Sequence, residues 1–202
     1  MPPRQFLSWS VGLALVSTPV WADGPAAGEP GPFAAVRSLN RDLLMHDSAT
    51  EVLGQWCAGR RLADPPVIRA VRDSAPDKPA DARVRARLGA ARGETIRYRH
   101  VRLTCGAHVL SEADNWYRPA LLTPGMNAAL DHTDTPFGLV VKPLGFHRVR
   151  LGATFLIGRY GVAKAGGGVL RHEALLVMPN GEPFSLVVET YTAEVTFRAS
   201  DR

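Results

Sequence analysis

Two pairs of strand-like runs, each joined by a turn of only a few residues, constrain this chain more than any other feature. Residues 96–104 and 109–117 flank Cys105-Gly106-Ala107, and residues 170–178 and 184–197 flank Pro179-Asn180-Gly181-Glu182. Antiparallel neighbours can be joined this tightly and parallel ones cannot, so both pairs are expected to be β-hairpins. Further strand-like runs at 67–71, 139–141 and 148–157 would extend the sheet. Ahead of the hairpins, Phe33, Val36, Leu39, Leu43 and Leu44 recur at helical spacing and predict a helix over 33–46. Ser48-Ala49-Thr50-Glu51 matches a capping box, so a second helix is expected from Ala49 to Ala58, with Val52, Leu53 and Trp56 inward and Gly59 ending it. Pro124 starts a short helix within 122–130, and Thr135-Pro136-Phe137-Gly138 reads as a tight turn. Residues 74–81 hold two prolines and three charges and read as an exposed loop, while 83–92 shows no period and is assigned no element. Gly166-Gly167-Gly168 lacks any GK[ST] or GxGxxG context and reads as a loop, not a phosphate cradle. Helices followed by antiparallel hairpins predict an α+β domain over 33–202, its sheet covered by helices on one face.

The N-terminal stretch has a different task. Arg4 precedes an apolar run over 6–20, and Val20-Trp21-Ala22 has the small-residue pattern of a signal-peptidase site. Residues 1–22 are therefore expected to be an export signal, and the Gly-, Pro- and Ala-rich stretch 23–32 a flexible leader. No later run is long and apolar enough to span a bilayer, which predicts an exported, periplasmic chain with no membrane span after cleavage. In an oxidising compartment Cys57 and Cys105, the only two cysteines, are expected to form a disulfide.

Several kinds of chemistry are disfavoured. The formal net charge of +5, or +4 without Arg4, comes mostly from scattered arginines with no aromatic-interleaved or helix-turn-helix pattern, so a solvated face is expected and no nucleic-acid partner. Neither cysteine has a CxxC or CxxH neighbour, so no zinc site is expected. Asp131, His132 and Asp134 could ligate a metal, but turn capping by the aspartates is the simpler reading. His172 and Glu173 point opposite ways from one strand and make no dyad. GxSxG and HExxH are absent, which speaks against hydrolase chemistry.

Asp47-Ser48-Ala49-Thr50, the hairpin, Thr135-Pro136-Phe137-Gly138 and the closing Gly-Glu-Pro hairpin stand in an order that resembles the chorismate pyruvate-lyase family. That family shares its fold with the effector-binding (UTRA) domains of GntR-type regulators. The resemblance runs over roughly 33–198, with Leu44–Thr50, Arg99–Leu103, Thr135–Gly138 and Val188-Glu189-Thr190 as counterparts of the family's segments. It implies a cofactor-free carbon–oxygen lyase that removes pyruvate from chorismate to leave 4-hydroxybenzoate, by positioning and charge complementarity. It further implies Arg99 as the carboxylate clamp, Phe137 as a source of backbone donors and Glu189 as the polar partner inside the last strand, so Arg99 and Glu189 would be the catalytic pair. An ungapped match would put His100 at the arginine's place. Strand period instead groups Arg99 with Val101 and Leu103 on one face, as the rim of an apolar pocket requires. The family's second arginine falls on Asn115, so Asn115 and Asp114 join the ligand-binding candidates, with a hairpin hydrogen-bond network around Trp116 as their alternative. Glu189 could equally face solvent, and Arg99 could be a surface cross-strand partner. The resemblance thus implies a pocket for a small aromatic or anionic molecule; the alternatives are a non-catalytic periplasmic binding or sensory module of the same fold, or an envelope protein with a filled core.

The export reading predicts that protein recovered from the periplasm begins at Asp23 when its N-terminus is sequenced. Intact Met1 on cytoplasmic material would contradict it.

Overall fold

Pro32 opens the first helix, where proline gives up only an N–H that has no partner there. The computed structural model of the chain describes residues 31–72, 77–158 and 167–197. The expected export signal and most of the leader lie outside the described residues. Helix α1 (Pro32–Met45) buries Val36, Leu39 and Leu43, each contributing about 1.5–3 kcal/mol of apolar burial. Ser48 caps α2 (Ala49–Gly59) by accepting from the Glu51 N–H. The Glu51 carboxylate does not close the capping box; it accepts instead from Lys142 Nζ at 2.6 Å.

Six strands follow: β1 (Ile68–Arg72), β2 (Arg97–Cys105), β3 (His108–Tyr117), β4 (His147–Phe155), β5 (Gly168–Val177) and β6 (Pro183–Thr192). They pair antiparallel throughout in the order β1-β2-β3-β6-β5-β4. The expected α+β class is therefore the observed one. The last strand lies in the middle, beside the return strand of the first hairpin. This placement brings residues far apart in sequence onto one patch. In the first hairpin the turn is Gly106-Ala107 alone, and Cys105 belongs to β2. Only glycine serves at position 106: its φ is +55°, and a Cβ would lie 2.8 Å from that of Ala63.

One sheet face carries α1 and α2 over one half, and α4 (Pro124–His132) with α5 (Phe137–Val140) over the other. Cys57 and Cys105, both fully buried, are bonded with Cα atoms 6.2 Å apart. The 48-residue separation corresponds to about 4 kcal/mol in the chain-entropy account.

Sequence pattern misplaced several elements. Residues 82–87, assigned nothing, form helix α3 (Ala82–Arg87), capped by Asp81 accepting from the Val84 N–H. Its Val84, with Leu88 just beyond its end, packs on Leu186 from the opposite face, while the N-terminal helices α1 and α2 lie on one face as expected. Residues 139–141, expected as a strand, end a helix instead: Leu139 and Val140 are its last residues and Val141 its C-cap, with Phe137 and Val141 both buried and Pro136 setting the entry. Thr135-Pro136-Phe137-Gly138 is accordingly the start of α5, not a closed turn. The run over 184–197 leaves the sheet at Thr192 and ends in a short 3₁₀ helix, Ala193–Thr196. Gly168 opens β5, where a Cβ would run into Thr190 Cγ2; Gly166 lies outside the described residues.

His172 on β5 is buried with its ring edge-on to Tyr191, and its Nε2–H donates to Asn40 Oδ1 of α1 at 2.8 Å. Burial pushes its pKa down from 6.5 to about 4, against the opposing pull of the Glu189 charge. The folded state thus binds fewer protons than the unfolded one between those values. Stability from this residue is full above pH 6.5 and is lost as pH falls toward 4, by at most about 1.4 kcal/mol per pH unit. Urea unfolding at pH 7.5, 5.5 and 4.5 should show a shallower acid loss for His172→Gln than for the wild type; identical slopes would contradict the assignment.

Candidate functional site

The two helical layers on the shared face do not close completely, and the seam between them is a cavity. Its floor is the sheet: Arg99 and Val101 of β2, Ala113 and Asn115 of β3, Val187 and Glu189 of β6. Its roof is the N-terminus of α2 (Ser48, Ala49, Thr50) and the start of α5 (Phe137, Gly138). The cavity measures about 40 Å³, against the roughly 10–15 Å³ that one water requires.

Strand alternation decides who reaches it. Arg99 lies opposite Asn115, Asn115 opposite Val187, Ala113 opposite Glu189. Arg99 and Glu189 therefore sit in adjacent cross-strand rows with only β3 between their strands, and both line the cavity. Asp114 points to the other face, where it accepts from Tyr98 Oη (2.6 Å) and Lys78 Nζ (2.8 Å) and meets His100 Nδ1 (2.9 Å). Burial would raise the Asp114 pKa, but the Lys78, Tyr98 and His100 hydrogen bonds outweigh it and hold the carboxyl below its usual range. Asp114 is thus committed to a surface network, as is His100, and neither is among the cavity's residues. Phe137 contributes its ring as a wall, packed against Tyr117 and Phe184 at centroid distances of 5.4 and 6.4 Å. At the first position of α5 its N–H has no intrahelical acceptor.

Two arginines face the same space and differ sharply. Arg148 of β4, which sequence reading passed over, donates from Nη2 to Glu189 Oε2; the two side chains are only 4% and 8% exposed. Tyr191 Oη donates to the same oxygen at 3.1 Å. Burial disfavours the Arg148 charge, but the adjacent carboxylate more than compensates, so its pKa is raised. Asp47 Oδ1 accepts from the Arg148 backbone N–H at 2.8 Å and ties the start of α2 to β4.

Arg99 has no such partner. It is 7% exposed, its Nη2 makes one long bond (3.4 Å) to the Thr135 carbonyl, and its Nε and Nη1 are buried with no acceptor. Desolvation, with the nearby Arg72 charge, pushes its pKa down to about 10, so it stays cationic at neutral pH. Arg99 also borders a second, more polar hollow with Arg72, Arg97, His100 and Tyr117. Beside it, Asn115 Oδ1 accepts from Ser185 Oγ at 2.7 Å while Nδ2 is buried and unpartnered. The arrangement can accept an anion; it holds no nucleophile–base pair.

Of the metal-ligand candidates, Asp131 pairs with Arg97 and Asp134 with Arg69. Among the described residues no group of three or more His, Cys, Asp or Glu could hold a metal ion, and no helix is long and apolar enough to cross a membrane.

The buried pair predicts an asymmetric mutational response. Arg148→Ala leaves the Glu189 charge buried without its cation and should cost about 3–5 kcal/mol in urea unfolding. Arg148→Met combined with Glu189→Leu should cost far less. Equal losses for the single and double changes would contradict the pairing.

No protein-family model matches the chain. The protein y4mC of Sinorhizobium fredii (strain NBRC 101917 / NGR234), itself described as uncharacterized, is 38% identical over 218 residues, covering 95% of this chain and 92% of that one. Among solved structures, the effector domain of PhnF from Mycobacterium smegmatis is similar with a TM-score of 0.48 at 13% identity, covering 68% of this chain and 89% of that one. A GntR-family transcriptional regulator from Bacillus cereus gives 0.41 at 12% identity, covering 61% and 90%. YydK from Bacillus subtilis, described as a possible transcriptional regulator, gives 0.42 at 14% identity over 63% of this chain, and the match spans only 59% of YydK. At 38% identity over nearly the full length of both proteins, the chain belongs to the family of the Sinorhizobium fredii protein y4mC.

Proposed function

We propose that this chain is a small-molecule-binding domain whose cavity takes a compact organic anion, an aromatic monocarboxylate above all. The observation that carries the reading is Arg99: 7% exposed, with Nε and Nη1 unpartnered, it lines a cavity in which the Arg148 and Glu189 charges are already paired with each other. An ionised group buried without a partner is costly, and a carboxylate would supply both the charge and the acceptors it lacks. Arg148 is already matched by Glu189, so the cavity's charge complement favours one carboxylate over two. Val101, Phe137 and Val187 suit an aromatic ring.

A second reading, elimination of pyruvate from chorismate, is favoured by the convergence of Arg99 and Glu189 on one cavity. Chorismate brings two carboxylates, and with Arg148 engaged the product, 4-hydroxybenzoate, fits the charge better than the substrate does. Export is part of the same proposal and is supported by the bonded Cys57–Cys105 pair; a chain outside the cytoplasm would not meet cytoplasmic chorismate, which again favours binding without turnover.

Calorimetric titration with 4-hydroxybenzoate tests the first reading, and release of 4-hydroxybenzoate from chorismate tests the second. Arg99→Ala should weaken binding by about 1.5–3 kcal/mol. Because it removes a buried, unmatched cation, it should leave the ligand-free protein at least as stable in thermal melts. Undiminished binding by Arg99→Ala would contradict the proposal.

A further inference from the structure

We infer that the polar hollow on the far side of Arg99 is a second binding site, built for a tetrahedral oxyanion of the phosphate class, and that it shares Arg99 with the cavity so that an anion in either site weakens the hold of the other. The site stands on its own residues; only the coupling rests on the binding reading above. The hollow measures about 290 Å³. It lies where β2 runs on past the end of β1: Arg72, the last residue of β1, pairs with Val101, so residues 97–100 have no β1 residue beside them. Arg72 stands opposite Val101, and Arg99 and Arg97 precede Val101 by two and four residues, so strand alternation puts all three arginines on one face. Arg99 is buried with Tyr117 and Leu130, while Arg72 and Arg97 are exposed at the rim. Among the described residues, Arg99 alone lines both the cavity and the hollow.

Three guanidinium groups meet two carboxylates in this lining, Asp77 and Asp131. Asp131 is spent on Arg97 at 2.9 Å, Arg72 donates to the Leu130 carbonyl, and Asp77 is exposed. Arg72 and Arg97 thus complement the C-terminal end of α4, where cations are favourable, but this gives Arg99 no partner. Burial and the Arg72 charge together push the Arg99 pKa down, and an anion lodged between the two arginines would reverse that repulsion. A planar carboxylate is served by one guanidinium fork. Donors arriving from three side chains suit an acceptor whose oxygens point in several directions, as those of phosphate do. The sign of the coupling follows from Arg99 itself. Its Nη2 is directed at the Thr135 carbonyl, and Nε and Nη1 are the groups left without an acceptor. An anion that draws them toward the hollow leaves less for the cavity, and two anions about one guanidinium repel each other.

Calorimetric titration of the purified chain with inorganic phosphate, at constant ionic strength in a zwitterionic buffer, tests the site. Phosphate should bind roughly tenfold or more tightly than acetate does in the hollow's presence of three donors. Arg97→Gln and Arg72→Gln should each weaken phosphate binding about tenfold, the worth of one charge-assisted hydrogen bond, with circular-dichroism spectra unchanged. Titration with 4-hydroxybenzoate at rising phosphate tests the coupling: its Kd should rise and then level off, roughly fivefold or more above the phosphate-free value. A Kd that climbs without limit, equally in the wild type and in Arg97→Gln, would mean that phosphate enters the cavity itself and would overturn the second site. No phosphate binding at millimolar concentration, or equal binding by the wild type and both rim variants, would overturn it too. Phosphate binding that leaves the 4-hydroxybenzoate affinity untouched would overturn the sharing of Arg99. Phosphate binding by a chain that takes up no 4-hydroxybenzoate would overturn the binding reading, and the coupling with it, while the second site stands.

Discussion

An imbalance of buried charge organises the shared face of the sheet. Among the described residues, the buried ionic side chains there are two arginines and one glutamate. One arginine is neutralised by the glutamate and a tyrosine hydroxyl; the other is left with two donors facing nothing. Proteins rarely retain an unmatched buried cation unless something outside the chain completes it. Everything nearby accommodates that charge without cancelling it: Thr135 offers one distant carbonyl, Asn115 turns its donor side inward, and Asp131 is engaged by Arg97.

Topology makes the imbalance possible. Insertion of β6 beside β3 puts Glu189 one strand away from Arg99, and β4 at the sheet edge sends Arg148 across to Glu189 before it can serve a ligand. The cavity survives because two apolar clusters form independently on the same face, one under α1 and α2 and one under α4 and α5. Each packs to completion around its own helices, and the line where they meet has only the starts of α2 and α5 above it.

Much of this was legible from residue order. Alternation in β2 correctly separated Arg99 from His100, because period two assigns a face whatever the exact strand limits are. The capping serine and the Cys57–Cys105 bond were equally local or forced by number. What escaped depended on distant partners. Arg148 sits in HRVRLGATF, where arginines alternate as on a solvated edge, yet it is the only buried residue of β4. Its burial is licensed by Glu189, 41 residues away. Helix α3 reads as a run of arginines, and only Leu186 across the sheet reveals Val84 and Leu88 as its anchors. The apolar run at the end of α5 suggested a strand, but Phe137 and Val141 gain more by turning together into the core than a three-residue strand could gain by pairing.

The Cys57–Cys105 bond has a mechanical side. It joins the C-terminal end of α2 to the end of β2, while the opposite ends of the same two elements, Ser48–Thr50 and Arg99, form roof and floor of the cavity. Helix and strand therefore act like the arms of tongs riveted at one tip, and the bond fixes how far the other tips can part. Asp47, holding the Arg148 backbone, is a second stop at the open end. Reduction would remove the rivet without touching a cavity residue, and the width of the anion site would then depend on apolar packing alone.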